Sequence, residues 1–149
     1  MDETVVLIKI DSLKRCLDRI VSKYPVSKDE LRTNLDLQDI VTINLERAVQ
    51  VCVDIAAHVV ADLDARVPQT MAESFERLSE AGVISRFTAE RLQKAVGFRN
   101  IAVHEYQSIN WEVVHIIITN HLDDFRLYAK EVLQWIKGSQ QPTTIGYEL

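Results

Sequence analysis

Only four glycines and three prolines interrupt the 149 residues. That is too few for the many tight turns of a β-sandwich or barrel, and it favours long helices. Cysteine is scarce as well. Cys16 and Cys52 have no zinc-type spacing and fall on apolar helical faces, so they are expected to be buried free thiols of a reducing compartment. No long apolar run is present. The most hydrophobic window, 113–122, carries two histidines and an asparagine and is far short of the roughly 20 residues of a membrane span. No basic, apolar leader stands at the N-terminus, so a cytoplasmic protein with no membrane partner is expected. Missing too are HExxH, GxSxG, GxGxxG and the P-loop.

The chain that remains is the length of one domain. Its 47% hydrophobic and 26% charged residues are ordinary for a globular protein. The net charge of −5 argues against a protein that coats nucleic acid generally. The charge is uneven, however. Residues 51–84 carry a balance of −4, whereas 85–110 carry +2 through Arg86, Arg91, Lys94 and Arg99.

Periodicity predicts an all-α bundle of four to five main helices over 1–137, followed by a flexible tail over 138–149. The first helix is expected over 4–23, stopping before Pro25. A short piece over 27–34 opens on the capping-box pair Ser27 and Glu30. A long helix over 37–66 carries an apolar stripe from Ile40 to Leu63 and is ended by Pro68. Thr70 and Glu73 open a short helix that Gly82 stops. Ser85 or Thr88 caps a helix over 89–103. Asn110 caps a last long helix over 111–137, with Gly138 as its stop.

The segment 98–106, FRNIAVHEY, breaks the pattern. On a helical wheel at about 100° per residue, Leu92, Ala95, Val96, Ala102, Val103 and Tyr106 cluster within about 60° of one direction, with Arg99 at the centre. A guanidinium there loses water and needs an anion or a carboxylate such as Asp39. His104 points about 140° away, on a polar line with Glu90, Gln93, Gly97 and Asn100. If Arg99 and His104 act together, the helix ends between them or a second copy of the chain completes the site across a two-fold axis. Other constellations are weaker. His115 and His121 are about 240° apart on a helix and cannot share a metal, His58 is isolated, and Asp123 with Asp124 reads as a solvated face. No metal site and no cofactor is expected.

Arg99, His104 and Tyr106 spell R-x4-H-x-Y. With NLERAVQVCVDIAAHVV (44–60), ESFERLSEAGVI (73–84) and the following long amphipathic helix, the chain resembles HepT-type HEPN-domain ribonuclease toxins over roughly residues 1–137. These toxins are partners of MNT-like nucleotidyltransferase antitoxins. The resemblance implies an antiparallel HEPN bundle that dimerises two-fold and cleaves RNA without metal, tRNA being the expected class. The roles fit the residues. RNA supplies its own 2′-hydroxyl nucleophile. His104 can take that proton or protonate the leaving oxygen. Arg99 can hold the scissile phosphate, and Asn100 can assist. Arg91 and Lys94 are candidate RNA contacts, and Asp39 and Asn44 are candidate supporting residues. Tyr106 can be a core aromatic, a stacking platform for a base, or, as the resemblance implies, the acceptor of AMP from the antitoxin. The alternative reading is a non-catalytic HEPN module that binds a nucleotide or protein in the same cleft, or a dimerisation scaffold.

Overall fold

The structure is a computed structural model and describes residues 1–140. Among these residues it is all-helical: α1 Glu3–Val21, α2 Lys28–Thr33, α3 Leu35–Val60, α4 Met71–Glu80, α5 Arg86–His104, α6 Trp111–Asn120 and α7 Leu122–Gln140. A single 3-10 turn, Tyr106–Ser108, joins α5 to α6. The expected antiparallel bundle forms around α3, which packs against α1, α2, α4 and α5.

Local chemistry sets most of the boundaries. Ser27 accepts from the Glu30 amide at 3.1 Å while Glu30 accepts from the Ser27 amide at 3.2 Å, so the expected capping box is complete. The α4 helix starts on Thr70, whose hydroxyl accepts from Glu73 N at 3.1 Å. It ends at Gly82, which adopts φ +78°, a left-handed conformation that glycine reaches without steric cost. The Val83 and Gly82 amides donate back to the Leu78 and Ser79 carbonyls at 2.9 and 3.1 Å, satisfying two orphan acceptors. Of the two caps considered for α5, Ser85 is the one used. It accepts from Thr88 N at 3.1 Å, so the helix starts at Arg86, earlier than 89.

Three expected ends move. The α3 helix stops at Val60 and not at 66. Past Ala61 the chain tightens into i→i+3 bonds, Asp62 N to Val59 O and Leu63 N to Val60 O. Asp62 and Asp64 would otherwise sit at the negative end of the helix dipole, and Asp62 pairs with the Met1 amine. The expected helix over 111–137 is two helices, broken at His121. The β-branched run Ile116–Thr119 weakens the end of α6, and Asp123 and Asp124 suit the positive end of a new helix. Gly138 is not a stop, because α7 continues to Gln140. The rest of the expected tail, 141–149, lies outside the described residues.

The core is one apolar layer running through the bundle: Leu13, Leu17 and Ile20 of α1, Val41 to Val59 of α3, Phe75 and Leu78 of α4, Leu92 and Val96 of α5, and Phe125, Tyr128 and Val132 of α7. Tyr128 is fully buried, donates to the Cys52 carbonyl at 2.8 Å and meets the Phe75 ring edge-on at 5.6 Å. Burial pushes its pKa well above that of a free phenol. Cys16 and Cys52 are both buried and unpaired, as expected. No described helix is long and apolar enough to cross a membrane.

Candidate functional site

The core fixes the first half of α5 through Thr88, Ala89, Leu92 and Val96, and Ala102 is the last buried side chain. The expected apolar face therefore does not extend to the helix end. Val103 and Tyr106 are 44% and 41% exposed. Arg99 is half-buried, and its Nη1 donates to Asn100 Oδ1 at 3.4 Å. The carboxylate expected opposite Arg99, Asp39, is taken by a different partner. Across from Arg99 stands Glu46 of α3. Burial pushes the Glu46 carboxyl up, and the charges of Arg99 and Arg47 oppose that rise.

His104 is the final residue of α5 and is exposed. Glu105 leaves the helix at φ −140°, ψ 50°, and the 3-10 turn closes with Ser108 N donating to Glu105 O at 2.7 Å. This turn lays Tyr106 back against α3. Its phenol donates to Asp39 Oδ1 at 3.1 Å, and its ring meets Trp111 edge-on at 6.2 Å. The phenol pKa is raised, first by desolvation and then by the bond to Asp39, with Glu46 adding to the effect. The Thr42 hydroxyl acts the other way. That hydroxyl is buried beside the phenol and makes no hydrogen bond of good geometry. Val103, His104, Glu105, Tyr106, Gln107 and Ser108 line an open cavity of about 450 Å³.

Of the expected site residues, Tyr106 thus meets Asp39 and shares a cavity with His104, while Arg99 meets Asn100 and faces Glu46 further back on α5. Asn44 does not join them. It is 8% exposed, and its amide donates to the Ile40 carbonyl of its own helix at 2.7 Å. Asn44 lies about 140° round α3 from Asp39, whereas Thr42 and Glu46 fall within about 60° of it. That polar row at helical spacing was the available signal for Thr42 and Glu46. Trp111, at the start of α6, had no signal beyond following the motif. Arg91 is held elsewhere, its Nε on Asp124 Oδ2 at 3.0 Å and its Nη2 on His121 Nδ1 at 2.6 Å. Arginine has no acceptor, so this His121 nitrogen presents its lone pair. Lys94 is exposed at the edge of an apolar cleft of about 420 Å³ between α5 and α6, which includes Phe98, Ile101, Val113 and Ile116.

Known proteins resemble this chain in sequence and fold. The family described as "Ribonuclease HepT-like" matches residues 13–132. A curated relative, the mRNA nuclease HepT of Shewanella oneidensis, is 36% identical over 83% of this chain and 92% of its own length. The tRNA nuclease HepT of Aphanizomenon flos-aquae is 23% identical over 91% of this chain and 92% of its own. Among solved structures, the tri-AMPylated Shewanella oneidensis HEPN toxin in complex with MNT antitoxin superimposes with a TM-score of 0.83. It is 34% identical and covers 90% of this chain and 99% of that one. A HEPN-type helical bundle, the R-x4-H-x-Y motif at the end of α5 and a family match over most of its length establish that the chain belongs to the HepT-like ribonuclease family.

Proposed function

We propose that this protein is the toxin of a toxin–antitoxin pair, a cytoplasmic, metal-independent endoribonuclease that acts on tRNA and is silenced by AMP transfer to Tyr106. The observation that carries this reading is the cluster at the end of α5. An exposed histidine and a reachable phenol line one open polar cavity, and a half-buried arginine stands one to two turns before them on the same segment, in a chain of this family. The 2′-hydroxyl attacks the adjacent phosphorus while His104 takes its proton. The 5′-oxygen leaves with a proton given by the imidazolium or by solvent, and a 2′,3′-cyclic phosphate remains. Arg99 pairs with the non-bridging oxygens, where charge builds in the transition state, and Asn100 steadies the guanidinium. Lys94, and Arg91 where its ion pair yields, hold flanking phosphates. Asp39 supports the site through Tyr106.

The working unit in this reading is a homodimer. Ile101, Val113 and Ile116 are each more than 40% exposed and line one cleft beside the site, an apolar surface suited to a second copy. Two-fold packing there brings two Arg99–His104 sets together. The other partner is an MNT-like nucleotidyltransferase antitoxin, the protein that accompanies the Shewanella toxin in its solved complex. AMP on Tyr106 adds bulk and negative charge beside Arg99 and excludes RNA.

The test is cleavage by unmodified protein, verified by intact mass, in EDTA. Total tRNA and total mRNA are offered separately, since the two HepT relatives differ in target. Wild type should cleave tRNA, and Arg99→Ala and His104→Ala should each lose about 10²-fold or more. Intact tRNA with cleaved mRNA would overturn the substrate class. No cleavage of either RNA would overturn the nuclease reading.

A further inference from the structure

We propose that Asp39 is the base that receives the phenolic proton when Tyr106 accepts AMP, so that the protein carries part of the machinery for its own silencing. This rests on the reading of Tyr106 as the modified residue. It deepens that reading by assigning a catalytic group for the transfer to the substrate and not to the transferring partner.

Three observations converge. The Tyr106 oxygen is the attacking atom in any transfer to this residue, and its proton already points at Asp39 Oδ1 over 3.1 Å, within the range required of a general base. The phenol resists ionisation where it sits, because desolvation and the neighbouring Asp39 and Glu46 charges all favour the neutral form. A neutral phenol is a weak nucleophile and must shed its proton as the new bond forms. Finally, the ring is 41% exposed, so an incoming nucleotide can reach the oxygen while Asp39 stays in contact from the α3 side. The Thr42 hydroxyl stands beside the same oxygen, favours its ionised form, and can steady the developing negative charge.

The phenolic oxygen attacks the α-phosphorus of a nucleoside triphosphate held by the nucleotidyltransferase. An oxygen–phosphorus bond forms, the bond to pyrophosphate breaks, and the proton passes to the Asp39 carboxylate and from there to solvent. The product oxygen has no proton left to donate, so the bond to Asp39 cannot re-form. A phosphodiester now carries negative charge next to Asp39 and Glu46. Repulsion turns the modified ring away from α3 and towards the cavity that holds His104.

The experiment measures single-turnover AMP incorporation by intact mass for wild type and Asp39→Asn, with the cognate nucleotidyltransferase, ATP and Mg²⁺, at saturating enzyme. Asparagine keeps an oxygen to accept the hydrogen bond but cannot take a proton. Equal melting temperatures confirm that this exposed substitution leaves the fold intact. At neutral pH the variant should be slower by about 10²-fold. Between about pH 6.5 and 8.5 the wild-type rate should change far less than that of the variant. The variant should accelerate by about tenfold per pH unit as hydroxide replaces the missing base. Glu46, Arg99, His104 and Glu105 are the other charged or titratable groups around the phenol. They are common to both proteins, so the ratio of rates isolates Asp39. Equal rates would overturn the proposal, as would a constant ratio at every pH, which marks a merely structural role. Wild type that takes no AMP at Tyr106 would instead overturn the modification itself, and this inference with it.

Discussion

At the scale of single residues, the buried arginine of this protein is not the one in the proposed catalytic motif. The helical wheel marked Arg99 as the guanidinium on an apolar face, yet Arg99 is only half-buried and looks across at Glu46. Arg77 is the buried one, 5% exposed, with Glu73 at 3.1 Å, Glu80 at 3.3 Å and the Arg66 carbonyl at 3.2 Å. It was illegible in the sequence because its two carboxylates lie one turn away on the same helix and make it look like a solvated ion pair. Its third partner comes from the loop that follows α3. Arg77→Ala should therefore destabilise the fold by about 1–3 kcal/mol, measured by urea denaturation. Most of that loss comes from the buried stem and the Arg66 carbonyl. The carboxylates, at 32% and 58% exposure, can rehydrate.

At the scale of elements, capping chemistry was the most legible feature. Ser27, Thr70, Ser85 and Asn110 all cap where their side chains suggested, because a cap depends only on residues two or three positions away. The break between α6 and α7 was not legible. Apolar periodicity runs straight across His121, and what closes the break is Arg91, thirty positions upstream. The same contact separates the two expected RNA contacts. Arg91 is neutralised by Asp124, whereas Lys94 is exposed and free of any ion pair within the described residues. Lys94→Ala should weaken RNA binding and lower its salt dependence by about one phosphate contact. Arg91→Ala should do so less, while costing about 1 kcal/mol of stability at the seam between α5 and α7. Binding titrations across salt concentrations, paired with thermal melts, would separate the two effects.

At the scale of the whole molecule, bundle and motif were both readable, and the proposed completion of the motif by a second copy belongs to assembly. Arg99 and His104 diverge by roughly 140° on a helix, which favours a two-fold site. The folded chain adds an apolar surface next to them. Ile101→Asp places a charge in the cleft it shares with Phe98, Val113 and Ile116. It should shift the protein from dimer to monomer in sedimentation and depress RNA cleavage in parallel, with little change in helicity. An active monomer would show that one chain suffices. Two copies together carry twice the −5 of each chain, so RNA affinity should be weak and salt-sensitive, and cleavage should favour a shaped RNA over random sequence.

The helix that bears the motif is anchored unevenly. Side-chain ties from Ser85 to Glu131, Arg91 to Asp124 and Gln93 to Ala72 all fall in the first half of α5. Beyond Val96 only Ala102 of α5 is buried, and the side-chain hydrogen bond from this end to another helix, among the described residues, is that from Tyr106 to Asp39. The free energy needed to open the last turns of α5 is therefore well below that of global unfolding. This end, where the proposed chemistry lies, is thus held more loosely than the start of the helix. In that reading AMP transfer to Tyr106 also removes its bond to Asp39, so silencing this protein would loosen it further.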